Sequence, residues 1–269
     1  MNPTGKAILR ASLDLFRQDR QMIWLPVLAT ITALVAFATV TGPLVLVLGH
    51  TGFAVMIAFA CGSVVATAAT VIFNVALCFA ATDRIEGRTP TVAGSLARAW
   101  ERRGVIFRWA LLSAVIGTAI RALEQRFGLI GRLIGLAGGL AWAVATFMVI
   151  PVLAFEDVGP IEAVKRSSSI LKARFGTVAR GGLRFGLLFA GLSIAALLVV
   201  MVGIGISISA RDAYLLGIPV AVAGFGALIA VGMYASAAGM YMRTVLYRFA
   251  TDQPIPDLGV DVAGAFRTS

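Results

Sequence analysis

The sequence predicts an all-α, polytopic membrane protein, and three observations predict it. Four long stretches, 21–82, 133–155, 185–210 and 213–242, contain no Asp, Glu, Lys or Arg. Hydrophobic residues make up 59% of the chain and charged residues 13%, whereas soluble domains average about 25% charged. The basic residues that remain sit in blocks beside the apolar runs. A helix crossing a bilayer needs roughly 20 consecutive apolar residues, and a soluble core does not call for charge-free runs of this length.

Taken in order, the pattern predicts six spans: Met22 to Val40, Phe53 to Ala81, Val105 to Ala122, Leu133 to Phe155, Phe185 to Ser209 and Tyr214 to Val245. Turn signals divide them into pairs. Gly42-Pro43 together with Gly49-His50-Thr51-Gly52 separates the first two, the charged Arg121 to Arg132 connection the next two, and Arg211-Asp212 the last two. Residues 1–21 form an amphipathic segment and 246–269 a tail, with one transmembrane domain between them. The third span is the shortest, and Arg108 and Arg121 at its ends are placed to snorkel toward opposite interfaces.

Nineteen of the 23 lysines and arginines fall on the side that holds both termini and the second and fourth connections. The positive-inside rule therefore predicts cytoplasmic termini. Before each hairpin lies an amphipathic segment. Ile8, Leu9, Leu13 and Phe16 share one face in the first; Val92, Leu96 and Trp100 in the second; Ile161, Val164, Leu171 and Phe175 in the third. Three helices of this kind are expected to lie in the interface plane, and together with the hairpins they suggest a threefold repeat. The echo of Ala7-Ile8-Leu9-Arg10-Ala11-Ser12 in Ala163-Val164-Lys165-Arg166-Ser167-Ser168 supports that repeat.

Candidate polar positions are few. Glu156-Asp157 closes the fourth span just after Pro151. A carboxylate at that depth is either a proton or cation site, or a structural group that caps the following helix or pairs with Lys165, Arg166 or Arg180. Asn74 is the only amide inside a predicted span, preceded at helical spacing by Ser63, Thr67 and Thr70. Such a stripe lines a pathway or bonds to neighbouring helices and its own preceding turn. Arg10, Arg17, Arg98, Arg102, Lys165, Lys172 and Arg174, with Arg166, are placed to meet anionic headgroups, each worth about 1 kcal/mol near such a surface. Glycines at 131, 135, 139, 181, 182, 186, 224, 226, 232 and 239 suit close helix packing, or act with Pro151 and Pro219 as hinges.

Catalysis and metal binding find little to work with. The chain has no HExxH, GxSxG or P-loop motif. One histidine, His50, and two separated cysteines, Cys61 and Cys78, do not make a usual metal set. No enzyme activity, cofactor or nucleic-acid partner is expected.

Several stretches together resemble a family of uncharacterised prokaryotic six-helix integral membrane proteins known only by a domain-of-unknown-function label. They are Phe73-Asn74-Val75-Ala76-Leu77, the run from Ala141 to Leu153, Glu156 with Gly159-Pro160 and Ala163-Val164-Lys165-Arg166-Ser167, and Leu246-Tyr247-Arg248-Phe249-Ala250. The Pro, Glu, Ala and Arg-Ser run is also similar to the membrane region of some glycerophosphodiester phosphodiesterases, whose catalytic domain is separate. The resemblance implies six helices and an orientation, and no site residues. The expected role is a non-enzymatic membrane scaffold or accessory subunit with membrane lipids and a membrane-protein or homo-oligomeric partner; the rival is a small-solute transporter, channel or lipid-handling protein.

Overall fold

The computed structural model describes residues 19–49, 51–126, 128–173, 175–209 and 213–253. A 3-10 turn, Arg20–Ile23, leads into α1, Trp24–Leu48. There follow α2 (Gly52–Ile85), α3 (Val92–Glu101), α4 (Arg103–Arg126), α5 (Gly128–Ala145), α6 (Val149–Phe155), α7 (Pro160–Ala173), α8 (Phe175–Ser209) and α9 (Tyr214–Ala250). Six segments among the described residues are long and apolar enough to cross a membrane: Gln21–Leu48, Gly52–Ile85, Arg103–Arg121, Gly131–Phe155, Phe185–Ser209 and Tyr214–Ala250. The expected all-α, six-span class is the observed one.

The turns are more economical than their composition suggests. Gly42-Pro43 lies inside α1, which continues to Leu48. Proline removes one donor, and in an apolar setting continuing the helix satisfies more backbone than breaking it. The turn falls instead at Gly49, whose φ of +87° suits glycine, and Thr51 caps α2 by accepting the Ala54 N–H at 3.3 Å. The connection between the third and fourth spans is itself largely helical, α4 running to Arg126 and α5 starting at Gly128.

The fourth span is broken, and the break precedes Pro151 rather than falling on it. The helix stops at Ala145 and restarts at Val149, so Pro151 occupies the first turn of α6, where a missing N–H costs no intrahelical bond. An unbroken helix would set the proline ring against the Phe147 carbonyl, its i−4 neighbour. The break leaves the Met148 N–H without a helical partner. Ser167, fully buried on α7, accepts it at 3.1 Å.

The packing has one centre. α2 touches α1, α3, α4, α6 and α9, and its buried residues concentrate between Val71 and Ile85. Those of α9 concentrate between Ala237 and Arg248. The core therefore lies toward the end of the bundle where α2 and α9 finish. Toward the other end the helices pack mainly as hairpins, α1 on α2, α4 on α5 and α8 on α9. There Val47 and Ile208 are 81% and 80% exposed.

Small residues set the hairpin spacing. A Cβ on Gly224 would stand 2.7 Å from the Val200 backbone nitrogen, one on Gly217 2.5 Å from the Gly203 carbonyl, and one on Gly203 would collide with the Ala221 backbone. The α8–α9 seam thus depends on Gly203 and Gly217, which composition did not single out, as well as on Gly224. Gly226 and Gly232, grouped with Gly224 in the sequence, face open space.

The second and third amphipathic segments form α3 and α7, whereas the first, with Arg10 and Arg17, lies outside the described residues. Of the apolar residues read as one face, Val92 and Leu96 of α3 and Val164 and Leu171 of α7 pack against the core, whereas Trp100 and Ile161 do not. On α3 the fully buried positions are Ser95 and Ala99, with Trp100 56% exposed; on α7 they are Ala163 and Ser167, with Ile161 outward. Phe175 belongs to α8 and not to α7. Small residues at Ser95, Ala99, Ala163 and Ser167 let these helices approach the bundle closely. Trp100 and Leu96 line an apolar groove of about 600 Å³ with Thr32, Ile72 and Phe73.

Candidate functional site

The charged residues that the apolar spans exclude converge at one end of the bundle. Asp19, 2% exposed, begins the first span and accepts hydrogen bonds from both arms of the Arg84 guanidinium, with Nε at 2.9 Å. The Tyr241 hydroxyl donates to the same carboxylate at 3.1 Å. One buried acid thereby joins the start of α1 to the ends of α2 and α9. A buried pair of this kind contributes little net stability compared with an apolar replacement, but removing one partner is costly, so it fixes which helix ends meet.

Next to it, Asp83 receives Arg98 Nη1 at 2.9 Å and Arg88 Nη2 at 2.6 Å. Glu86 receives Arg88 at 2.5 Å and Arg248 at 3.0 Å. The hydrogen bonds that Arg88 donates, to Asp83 foremost and then to Glu86, push its pKa above the ordinary guanidinium value. Arg98 also lies 4.3 Å above the Phe79 ring, which makes it part of the core boundary rather than a free headgroup contact.

A second cluster surrounds the end of the fourth span. Glu156 accepts the Tyr247 hydroxyl at 2.8 Å and Arg166 Nε at 3.1 Å. Arg102 donates to the Glu156 carbonyl and to Asp157, each at 3.3 Å. Phe155 stacks on Tyr247 at 5.5 Å and meets Phe79 edge-on at 5.7 Å. Glu156 makes the pair with Arg166, one of its anticipated partners. Lys165 and Lys172 are exposed on α7, while Arg174 lies outside the described residues.

Asn74 is placed elsewhere. Two members of the stripe before it bond their own helix, Ser63 to the Phe59 carbonyl at 2.7 Å and Thr70 to that of Ala66 at 2.9 Å. Asn74 instead lines a cavity of about 360 Å³ with Phe147 from the broken span, Gly182 and Gly186 of α8, and Ser236 and Arg243 of α9. The Arg243 guanidinium carbon sits 4.7 Å from the Phe147 ring centre. The broken span thus serves the cavity through Phe147, which the break displays, whereas Pro151 is buried in α6.

Sequence reasoning missed Asp19, Arg84 and Tyr241, which are more than 60 residues apart along the chain and carry no motif. It also missed Ser167 as the partner of Met148, and Arg243. A signal for Arg243 was available: it is the first charge after the stretch 213–242.

An all-helical bundle with six bilayer-length apolar spans and its ion pairs gathered at one end is a multi-pass membrane protein. The chain belongs to the family of unknown function DUF6159, whose model matches residues 50–255. Comparison with the curated proteins finds no match.

Proposed function

We propose that this protein is a non-enzymatic scaffold or accessory subunit of a prokaryotic cytoplasmic membrane, with its charged end and both termini facing the cytoplasm. The observation that carries this reading is the fate of the carboxylates. Asp19, Asp83, Glu86, Glu156 and Asp157 each pair with an arginine, so the acids at the mouth of the bundle tie helices together. The apolar outer halves of three hairpins complement this by offering surface for lipid, a partner membrane protein or a second copy. Lys165 and Lys172 are exposed cations suited to anionic headgroups.

The test is extraction from native membranes into lipid nanodiscs, followed by mass spectrometry of every protein that co-purifies. A stoichiometric partner or a homo-oligomer is expected, and recovery as a lone monomer overturns the reading. A reporter fused to the carboxyl terminus checks orientation by its activity on the cytoplasmic side.

A second reading, a small-solute transporter, channel or lipid-handling protein, is favoured by the broken fourth span beside a cavity. Interrupted helices that line cavities are common in transporters. The expected similarity to the membrane region of glycerophosphodiester phosphodiesterases finds no match among the curated proteins, and no phosphodiesterase activity is proposed.

A further inference from the structure

The arginines at the charged end and Arg243 are treated differently by the fold. Arg84, Arg88, Arg98, Arg102, Arg166 and Arg248 reach a carboxylate, and the exposed Arg103 donates to the Trp100 carbonyl. Arg243 points into the cavity, and among the described residues its contact is the face of Phe147, with no carboxylate in ion-pair reach. A cation kept inside a bundle without a counter-charge marks a site that an anion completes.

The remaining lining fits an oxyanion. The Asn74 carboxamide and the Ser236 hydroxyl both have hydrogens to donate. A guanidinium presents its donors as a fork matched to phosphate oxygens. The volume lies within the range of small-molecule sites, which leaves room for an organic group beyond the anion itself. Gly186 faces open space: a Cβ there would meet no atom within 4 Å.

Depth adds a further constraint. The charge-free stretch of α9 ends at Met242 and that of α8 begins at Phe185. Gly186 and Arg243 therefore stand where the apolar lengths of two adjoining helices stop, the level at which headgroup phosphates meet a spanning helix.

We infer that this cavity binds a phosphate ester, with Arg243 pairing to the phosphate oxygens and Asn74 and Ser236 donating to the ester. The inference goes beyond both readings of function, since a held phosphate ester serves a scaffold as well as a carrier. The ester is a phospholipid headgroup or a phosphorylated solute, and the test has an arm for each.

The full chain is purified and delipidated. In the lipid arm, native mass spectrometry measures retention of phosphatidylglycerol against diacylglycerol, which lacks the phosphate. In the soluble arm, thermal unfolding is followed with sn-glycerol 3-phosphate against glycerol. Wild type is expected to hold the phosphorylated probe of at least one arm and not its phosphate-free control. Arg243→Gln should weaken that binding roughly tenfold or more. Gly186→Leu should do the same by filling the cavity, and its unliganded melting curve checks that the fold is intact. Response in the lipid arm alone assigns a headgroup, and response in the soluble arm alone assigns a solute. Equal retention of both probes by wild type, Arg243→Gln and Gly186→Leu, or equal retention of probe and control, overturns the inference.

Discussion

The two ends of the bundle solve the same problem with different means. At the charged end, α2 and α9 bury continuous runs, and side chains from five helices meet through carboxylate–arginine pairs, tyrosine hydroxyls and stacked rings. At the opposite end, helices contact mainly their hairpin partners, and residues such as Val47, Leu46 and Ile208 remain largely exposed. Lipid explains why this is stable. Apolar side chains gain little by leaving hydrocarbon for protein, so packing between spans has to come from close approach of small residues or from polar links. The charged end has polar links and the outer halves have glycines, which hold pairs together but do not join one pair to another.

The comparison can be broken most directly at Asp19. Asp19→Ala leaves Arg84 without its carboxylate and Tyr241 without its acceptor, and should destabilise by about 3 kcal/mol, the scale for removing one member of a buried pair. Equilibrium unfolding in bicelles measures it. Asp19→Asn keeps the shape and should cost less.

The second largest effect is expected at the α8–α9 seam. Gly217→Val should lose about 1 to 3 kcal/mol through overpacking against Ser207 and the Gly203 carbonyl, whereas Gly226→Val, facing open space, should change stability little. Measuring the two side by side separates packing glycines from incidental ones. If both variants unfold alike, the seam is not set by Gly217.

Ser167→Ala tests the joint between the broken span and α7. It leaves the buried Met148 N–H unsatisfied, a penalty of about 1 to 3 kcal/mol, and hydrogen exchange should accelerate at Met148 while the amides of α2 keep their protection. The smallest effect belongs to the outer halves. Val47→Ala and Ile208→Ala should shift stability by under about 0.5 kcal/mol. If they reduce co-purification of a partner without changing stability, the uncovered surface is an interface.

Much of this architecture was legible in the primary structure because bilayer physics acts on composition. A charge-free run of bilayer length has one stable conformation in lipid, so the six spans, the two described amphipathic helices and the gathering of basic residues beside α2, α7 and α9 follow from local reading. Glu156 with Arg166 was also within reach, being ten residues apart on either side of one turn. Register was not. Trp100 and Ile161 share the apolar faces of α3 and α7 yet point outward, while the small Ser95, Ala99, Ala163 and Ser167 are the fully buried positions.

What the sequence by itself determined is therefore the helical class, the number of spans and the separation of charged from apolar ends. Only the tertiary structure decided which charges meet and which one lines the cavity. Asp19, Arg84 and Tyr241 come from opposite ends of the chain, and Arg243 faces a cavity bounded by three helices and a break in a fourth. Their partners are set by the distance between folded helices, a quantity that no local pattern encodes.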